Sequence, residues 1–222
     1  MGKLIHNGIT YAEVNHGAVS SKYVNIATGN NIGSGFYVVD NYISNFTSSY
    51  PCFPLTSAGT APVYDLTKSY HIHIRTRCSS LITRSQVLIG ENSNYFRAPS
   101  VEFSPSSSET FLWAGYTPST NQWLYSLTID KSEMSLNPDI YYEIDYNYDS
   151  INHIFSLTAD DGTGVITKQT SVSGTFPFQS SYTMTLGGIS RSSNHNAINC
   201  TIDMRNTYWE EDGNLLWGFK AD

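Results

Sequence analysis

The chain is short of charge. Only 14% of its 222 residues are charged, against roughly 25% in an ordinary soluble domain. Its 12 Lys and Arg are outnumbered by 19 Asp and Glu, for a net charge of -7. The cations are scattered, and the densest group, Arg75 to Arg77, is small. Nucleic acid and anionic membrane surfaces are held by clustered Lys and Arg, so neither is an expected partner. Long apolar runs are missing as well, none approaching the ~20 residues that span a bilayer. Residues Met1–Val14 carry one Lys, no continuous apolar stretch and no small-residue cleavage site, so no secretory leader is expected. Asn45-Phe-Thr and Asn199-Cys-Thr then match the glycosylation pattern by chance.

Cysteine is scarce. Cys52, Cys78 and Cys200 lie far apart, show no metal-ligand spacing and leave one thiol over if two pair. Three reduced, buried thiols are expected rather than a disulfide. Gly-x-Ser-x-Gly and phosphate-cradling glycine loops are absent, which removes the best-marked nucleophile and nucleotide sites. No amphipathic helix is visible. The best stretch, Lys131–Leu136, stops at Asn137-Pro138 and reads as one turn of a connection.

What is abundant is aromatic and neutral polar. There are 16 Tyr and 10 Phe, and aromatics make up 14% of the chain. Such residues fit a pleated, half-buried surface. Strands are expected at Tyr23–Ile26, Gly35–Val39, Tyr70–Cys78, Gln86–Ile89, Ser100–Phe103, Thr110–Tyr116, Gln122–Ile129, Ile140–Tyr148, Ile154–Ala159, Val165–Thr170, Tyr182–Leu186, Asn199–Tyr208 and Asn214–Phe219. Alternation is clean in two of them. Tyr142, Ile144, Tyr146 and Tyr148 fall on one face, with Glu143, Asp145 and Asn147 on the other. Trp123, Tyr125, Leu127 and Ile129 likewise oppose Leu124, Ser126 and Thr128. Asp149–Asn152, Asp160-Asp-Gly-Thr and Glu210-Glu-Asp-Gly213 are turn signals between strands. The pattern predicts an all-β, two-sheet antiparallel sandwich at residues 21–222, led by a strand or docking arm at 1–20.

Several of these segments resemble a known family. Tyr141-Tyr-Glu-Ile-Asp-Tyr-Asn followed by Phe155-Ser-Leu-Thr-Ala-Asp-Asp-Gly162 resembles the central hairpin of concanavalin A-like (laminin G-like) jelly rolls. Leu186-Gly-Gly-Ile resembles the strand that follows, and Thr201–Gly218 the closing hairpin, of such domains on tailed-bacteriophage and gut-bacterial structural proteins. Gly2–Tyr11 is similar to the start of many phage tail-associated proteins. The resemblance covers about the last 120 residues and the first dozen. It implies a jelly roll of the lectin/glucanase type. Trp209-Glu210 departs from the family's usual Ile-Lys, and no calcium-ligand set of the lectin or laminin G type is visible.

Three constellations bear on chemistry. Jelly-roll glucanases carry carboxylates at every second position of one strand, because retaining hydrolysis needs two carboxyls about 5–5.5 Å apart. Here the strip reads Glu143, Asp145, Asn147, and an amide cannot act as a general acid. It is a polar sheet face, and no catalytic residue is expected. His71 and His73 share one face of a strand and are near enough to share a metal, but a zinc site wants three or four ligands and no others are identifiable. No metal or other cofactor is therefore expected. Trp123 and Trp217, in alternating strands, are read as core. Trp113 and Tyr116, with Asn121 in the following loop, and Trp209 beside the acidic hairpin, are candidates for an exposed ligand-binding rim, where sugar rings stack on flat aromatic faces.

The expected function is a non-catalytic phage tail-associated or surface structural protein with a lectin-like domain. Its expected partners are a bacterial surface glycan, other virion or tail proteins and further copies of itself. Its expected location is the virion tail or bacterial cell surface. A purely structural assembly module is the second expectation, and a divergent glycan hydrolase the third.

Overall fold

The computed structural model describes residues 2–6, 9–14, 37–39, 42–44, 53–54, 63–64, 67–78, 86–91, 100–103, 110–116, 124–173, 178–179, 184–186, 188–190, 195–197, 200–203 and 206–219. Strands in chain order are β1 (Gly2–His6), β2 (Ile9–Val14), β3 (Tyr37–Val39), β4 (Tyr42–Ser44), β5 (Phe53–Pro54), β6 (Val63–Tyr64), β7 (Tyr70–Cys78), β8 (Gln86–Glu91), β9 (Ser100–Phe103), β10 (Thr110–Tyr116), β11 (Leu124–Asp130), β12 (Tyr142–Asp149), β13 (Ile154–Asp160), β14 (Val165–Ser171), β15 (Phe178–Gln179), β16 (Met184–Leu186), β17 (Gly188–Ser190), β18 (His195–Ala197), β19 (Cys200–Asp203), β20 (Thr207–Glu211) and β21 (Asn214–Phe219). No α-helix occurs among the described residues.

Two antiparallel sheets form a jelly-roll sandwich. One has six strands in the order β11-β10-β9-β8-β16-β5. The other has nine: β14-β13-β12-β7-β19-β4-β3, with β20 also paired to β7 and β21 to β20. The core lies between them. Tyr142 of the larger sheet meets Phe103 and Phe111 of the smaller at ring-centroid distances of 5.9 and 5.4 Å. Beside them Phe155 packs on Tyr146 and Tyr148 at 5.4 and 4.7 Å. Tyr142 is fully buried, and its hydroxyl donates to the Ser135 carbonyl at 2.8 Å and accepts from the Asn137 amide at 2.6 Å. That satisfies a polar atom whose burial without a partner is expensive. The turn at 131–133, just before these partners, is the expected connection: Glu133 and Met134 amides both donate to the Asp130 carbonyl.

The alternation read from the sequence is the alternation observed. Along β7 and β12 every second residue is buried. In β11, Leu127 and Ile129 are buried while Ser126 and Thr128 are exposed. Turns fall where Asp and Gly predicted them. Asp149 Oδ1 accepts from the Ile151 and Asn152 amides, and Asp161 Oδ1 from those of Thr163 and Gly164. Asp212 and Gly213 both adopt positive φ, 48° and 76°, as a two-residue primed hairpin turn requires. Residues Gly2–His6 and Ile9–Val14 form a separate antiparallel hairpin. The expected strand at Tyr23–Ile26 and the core position of Trp123 lie outside the described residues, as does the side chain of Trp217.

Two expectations need correction. The single strand expected at Asn199–Tyr208 is two, β19 and β20, both lying on the same edge of β7. Asp203, wholly buried, ends β19 by accepting from Arg75 Nη1 and Asn206 Nδ2, each at 2.9 Å. The Arg75 amide donates to Thr207 Oγ1 at 3.2 Å, where β20 begins. The second correction concerns cysteine: Cys78 and Cys200, directly paired across β7 and β19, form a disulfide. Antiparallel register brings together two buried thiols 122 residues apart. A cross-link closing so long a loop constrains the unfolded chain strongly. Replacing both cysteines by Ser should lower the unfolding free energy by about 2–5 kcal/mol, measured by urea denaturation; no change between variant and oxidised parent would refute the bond.

Candidate functional site

The outer face of the larger sheet is where the chemistry gathers. Residues directly opposite in an antiparallel pair point to the same face, so register alone assembles it. Tyr208, His73, Asp145, Thr158 and Thr167 form one row across β20, β7, β12, β13 and β14. Glu210, His71, Asn147, Ser156 and Gln169 form the next. Arg75, Glu143 and Asp160 begin a third.

At its centre, side chains join in a continuous chain. Asp145 Oδ1 lies 2.6 Å from His71 Nε2 and 2.7 Å from His73 Nδ1. The other nitrogen of His73, Nε2, is 3.0 Å from Glu143 Oε2. Glu143 in turn pairs with Arg75 Nε at 2.8 Å, and Arg75 reaches the buried Asp203. At the far end Glu210 Oε2 stands 3.7 Å from His71 Nδ1. Tyr208 closes the group from above, stacked on His73 at 5.1 Å and edge-on to His71 at 5.2 Å.

The electrostatics follow from this packing. Burial alone would lower the His73 pKa, but hydrogen bonds to Asp145 and Glu143, with the charges of both, raise it to about 9. With a carboxylate on each ring nitrogen, His73 is a doubly protonated imidazolium at neutral pH. Burial would raise Asp145, yet the hydrogen bonds and charges of His71 and His73 hold it well below the usual carboxylate range. Asp145 is therefore ionised and has no proton to donate. The Tyr208 hydroxyl is pushed up to about 12 by burial and by the charges of Asp145, Glu210 and Glu143.

The expected site residues are split by the fold. Glu143, Asp145 and Asn147 share the outer face of the larger sheet, each half-buried. Trp113 projects from the opposite side of the sandwich, since its β10 neighbours Leu112 and Ala114 are core. Its ring lies against Gly115, where a Cβ would come within 2.3 Å of the indole. Tyr116 ends the same strand with its side chain outside the described residues, and Asn121 lies outside them altogether. Trp209 corrects the expectation: it is 1% exposed, paired with Ile72 on the inner face, and cannot serve as a sugar platform. Sequence reasoning missed Tyr208, Glu210, Arg75 and Asp203. The period-2 pattern held one usable signal: if Glu210 faces out, Tyr208 does too, and Trp209 between them faces in. The outer-face donors also include the one group of His and carboxylate able to hold a metal among the described residues, namely His71, His73 and Asp145.

No family model and no curated protein matches this chain. Solved structures do. The sialidase CBM40 of Ruminococcus gnavus bound to α2,3-sialyllactose is 15% identical over 68% of this chain and 87% of its own, with a TM-score of 0.44. Mouse laminin α1 domains LG4-5 are 12% identical over 74% of this chain and 39% of theirs, at 0.44. Trypanosoma rangeli sialidase in complex with sialic acid is 12% identical over 84% of this chain and 27% of its own, at 0.48.

Two outcomes are expected of this geometry. Trp209→Ala should cost about 3–5 kcal/mol of stability, as for other buried Trp truncations; a loss under 1 kcal/mol in urea denaturation would return the ring to the surface. In chelator, stability should depend on pH through His73 and Asp145. The raised His73 contributes fully below its free value of 6.5 and loses that contribution as pH rises towards about 9. The depressed Asp145 contributes above its free value of 3.8 and loses that as pH falls. Unfolding midpoints should thus decline between pH 6.5 and 9, and His73→Gln should flatten the decline; an unchanged slope in the variant contradicts the assignment.

Proposed function

We propose that this chain is a non-catalytic, lectin-like carbohydrate-binding domain, and that the outer face of its larger sheet is the binding surface. The observation that carries this is the aligned set of donors and acceptors on that face: His71, His73, Asn147, Ser156, Thr158 and Gln169. Sugar hydroxyls both donate and accept, and strand register sets these side chains in line to meet them. At the rim Tyr141 is half-buried, with Arg75 and Arg77 guanidinium carbons 4.8 and 5.2 Å from its ring centre.

The same face argues against hydrolysis. Of the three positions on the strip, Asn147 has no acid proton and Asp145 is held ionised. Glu143, the third position, is engaged by His73 and Arg75, so the strip leaves no unengaged carboxyl to serve as the acid of two-carboxyl hydrolysis.

The finer reading is a tail-associated or surface structural protein of a bacteriophage, located on the virion or the bacterial surface. It is supported by the resemblance at Gly2–Tyr11 and Thr201–Gly218. Residues 21–222 would then be the binding domain, and the hairpin within 1–20 its docking arm on other virion proteins. A structural assembly role is favoured by one observation: among the described residues, β14 pairs only with β13, leaving an edge to which another strand can add.

A glycan array with the full chain tests the reading. Binding to at least one bacterial polysaccharide is expected, weakened about tenfold by Asn147→Ala or Gln169→Ala, since a lost hydrogen bond is worth about 1–1.5 kcal/mol. Absence of binding across neutral and sialylated glycans would sink it. Sensitivity to Trp113→Ala alone would move the site to the other sheet.

A further inference from the structure

We propose that His71, His73 and Asp145 form a binding site for a divalent transition metal ion of zinc type, on the outer face of the larger sheet. One donor atom from each of the three lies within 4.8 Å of the others. Tetrahedral zinc with bonds of about 2.0–2.1 Å holds its donors roughly 3.3–3.4 Å apart. The 2.6 and 2.7 Å contacts to Asp145 Oδ1 would open to that spacing and the two nitrogens draw together, shifts of about an ångström at the side-chain tips.

What separates this cluster from a chance group of polar residues is the second layer. His71 turns Nε2 and His73 turns Nδ1 towards the same oxygen of Asp145. Each imidazole keeps its other nitrogen against a different carboxylate: His73 Nε2 against Glu143 at 3.0 Å, and His71 Nδ1 against Glu210 at 3.7 Å. Metal-binding histidines are held as His73 is, with the remote N–H on a carboxylate that fixes the tautomer and raises the basicity of the ligating nitrogen; Glu210 stands beside His71 at ion-pair rather than hydrogen-bond distance. Tyr208 fixes both ring planes by stacking on one and meeting the other edge-on. The ion would replace the protons that bridge the two imidazoles to Asp145.

Charge and ligand chemistry set the class of ion. Two imidazoles and one carboxylate with no thiol suit zinc, nickel or cobalt rather than calcium or magnesium, which take oxygen ligands. Three carboxylates, Asp145, Glu143 and Glu210, surround two imidazoles, so a doubly charged cation is well compensated. The side chains of His71, His73 and Asp145 are 33%, 15% and 25% exposed, so an ion can enter from solvent. Three protein ligands leave a coordination position open on the outer face. The proposal does not depend on glycan binding: zinc titration and the glycan array read the two separately.

The experiment is calorimetric titration of the chelator-stripped full chain with ZnCl2, with metal content after dialysis measured by mass spectrometry. One ion per chain is expected. His71→Ala and Asp145→Asn should each weaken binding at least a hundredfold, and Glu143→Gln by about 10–100-fold, as for other carboxylates behind histidine ligands. His153→Asn, a histidine outside the cluster, should leave binding unchanged. Should a ligand variant fail to fold, Co2+ added to the unmodified chain decides instead. Intense visible bands of a low-symmetry nitrogen–oxygen complex support the site, whereas the weak spectrum of hydrated cobalt overturns it. Absence of zinc binding by the parent chain, or equal binding by folded His71→Ala, also overturns it.

Discussion

An imidazolium held 2.7 Å from one carboxylate and 3.0 Å from another is the contact on which the polar face depends. His73 sits in the middle of β7, with β12 on one side and β20 on the other. Its charge is paired on both ring nitrogens, so burying it is tolerable. Asp145 is ionised because His73 and His71 surround it. Glu143 is shared between His73 and Arg75, and Arg75 compensates the wholly buried Asp203 where β19 gives way to β20. Removing His73 would leave Asp145 and Glu143 without their common partner.

This ionic chain lies on one surface of a sheet whose other surface is aromatic. The two share strands but not residues, because side chains alternate. Tyr142, Tyr146 and Tyr148 anchor β12 to Phe103, Phe111 and Phe155, while Glu143, Asp145 and Asn147 look outward. The rigid aromatic core is what allows the outward groups to be held in register, as a recognition surface requires. The Cys78–Cys200 bond fastens the same central strand to β19.

How much of this was legible in the sequence depended on the range of the interaction. Alternation and turn chemistry are local, so β7, β9, β10 and β21 are predicted to the residue and the Asp-Gly turns fall where expected. The polar strip on β12 was legible for the same reason. Pairing across the sheet was not. Nothing local says that Asp145 meets two histidines 72 and 74 residues away, or that Cys78 meets Cys200 across 122 residues. Trp209 was misplaced because its acidic neighbours suggested exposure. In a strand, however, a residue's neighbours face the other way, and Glu210 outside implies Trp209 inside. The break at Asp203 was hidden because a buried Asp paired with Arg is a tertiary arrangement without a local signature.

The central claim is that His73 is charged and clamped between Asp145 and Glu143. It is tested most directly by nitrogen-15 NMR of the histidine rings in the chelator-treated chain. Both ring nitrogens of His73 should be protonated at pH 7.5, with titration complete only as pH passes about 9. A neutral His73 ring at pH 7.5, titrating near the ordinary 6.5, would contradict it.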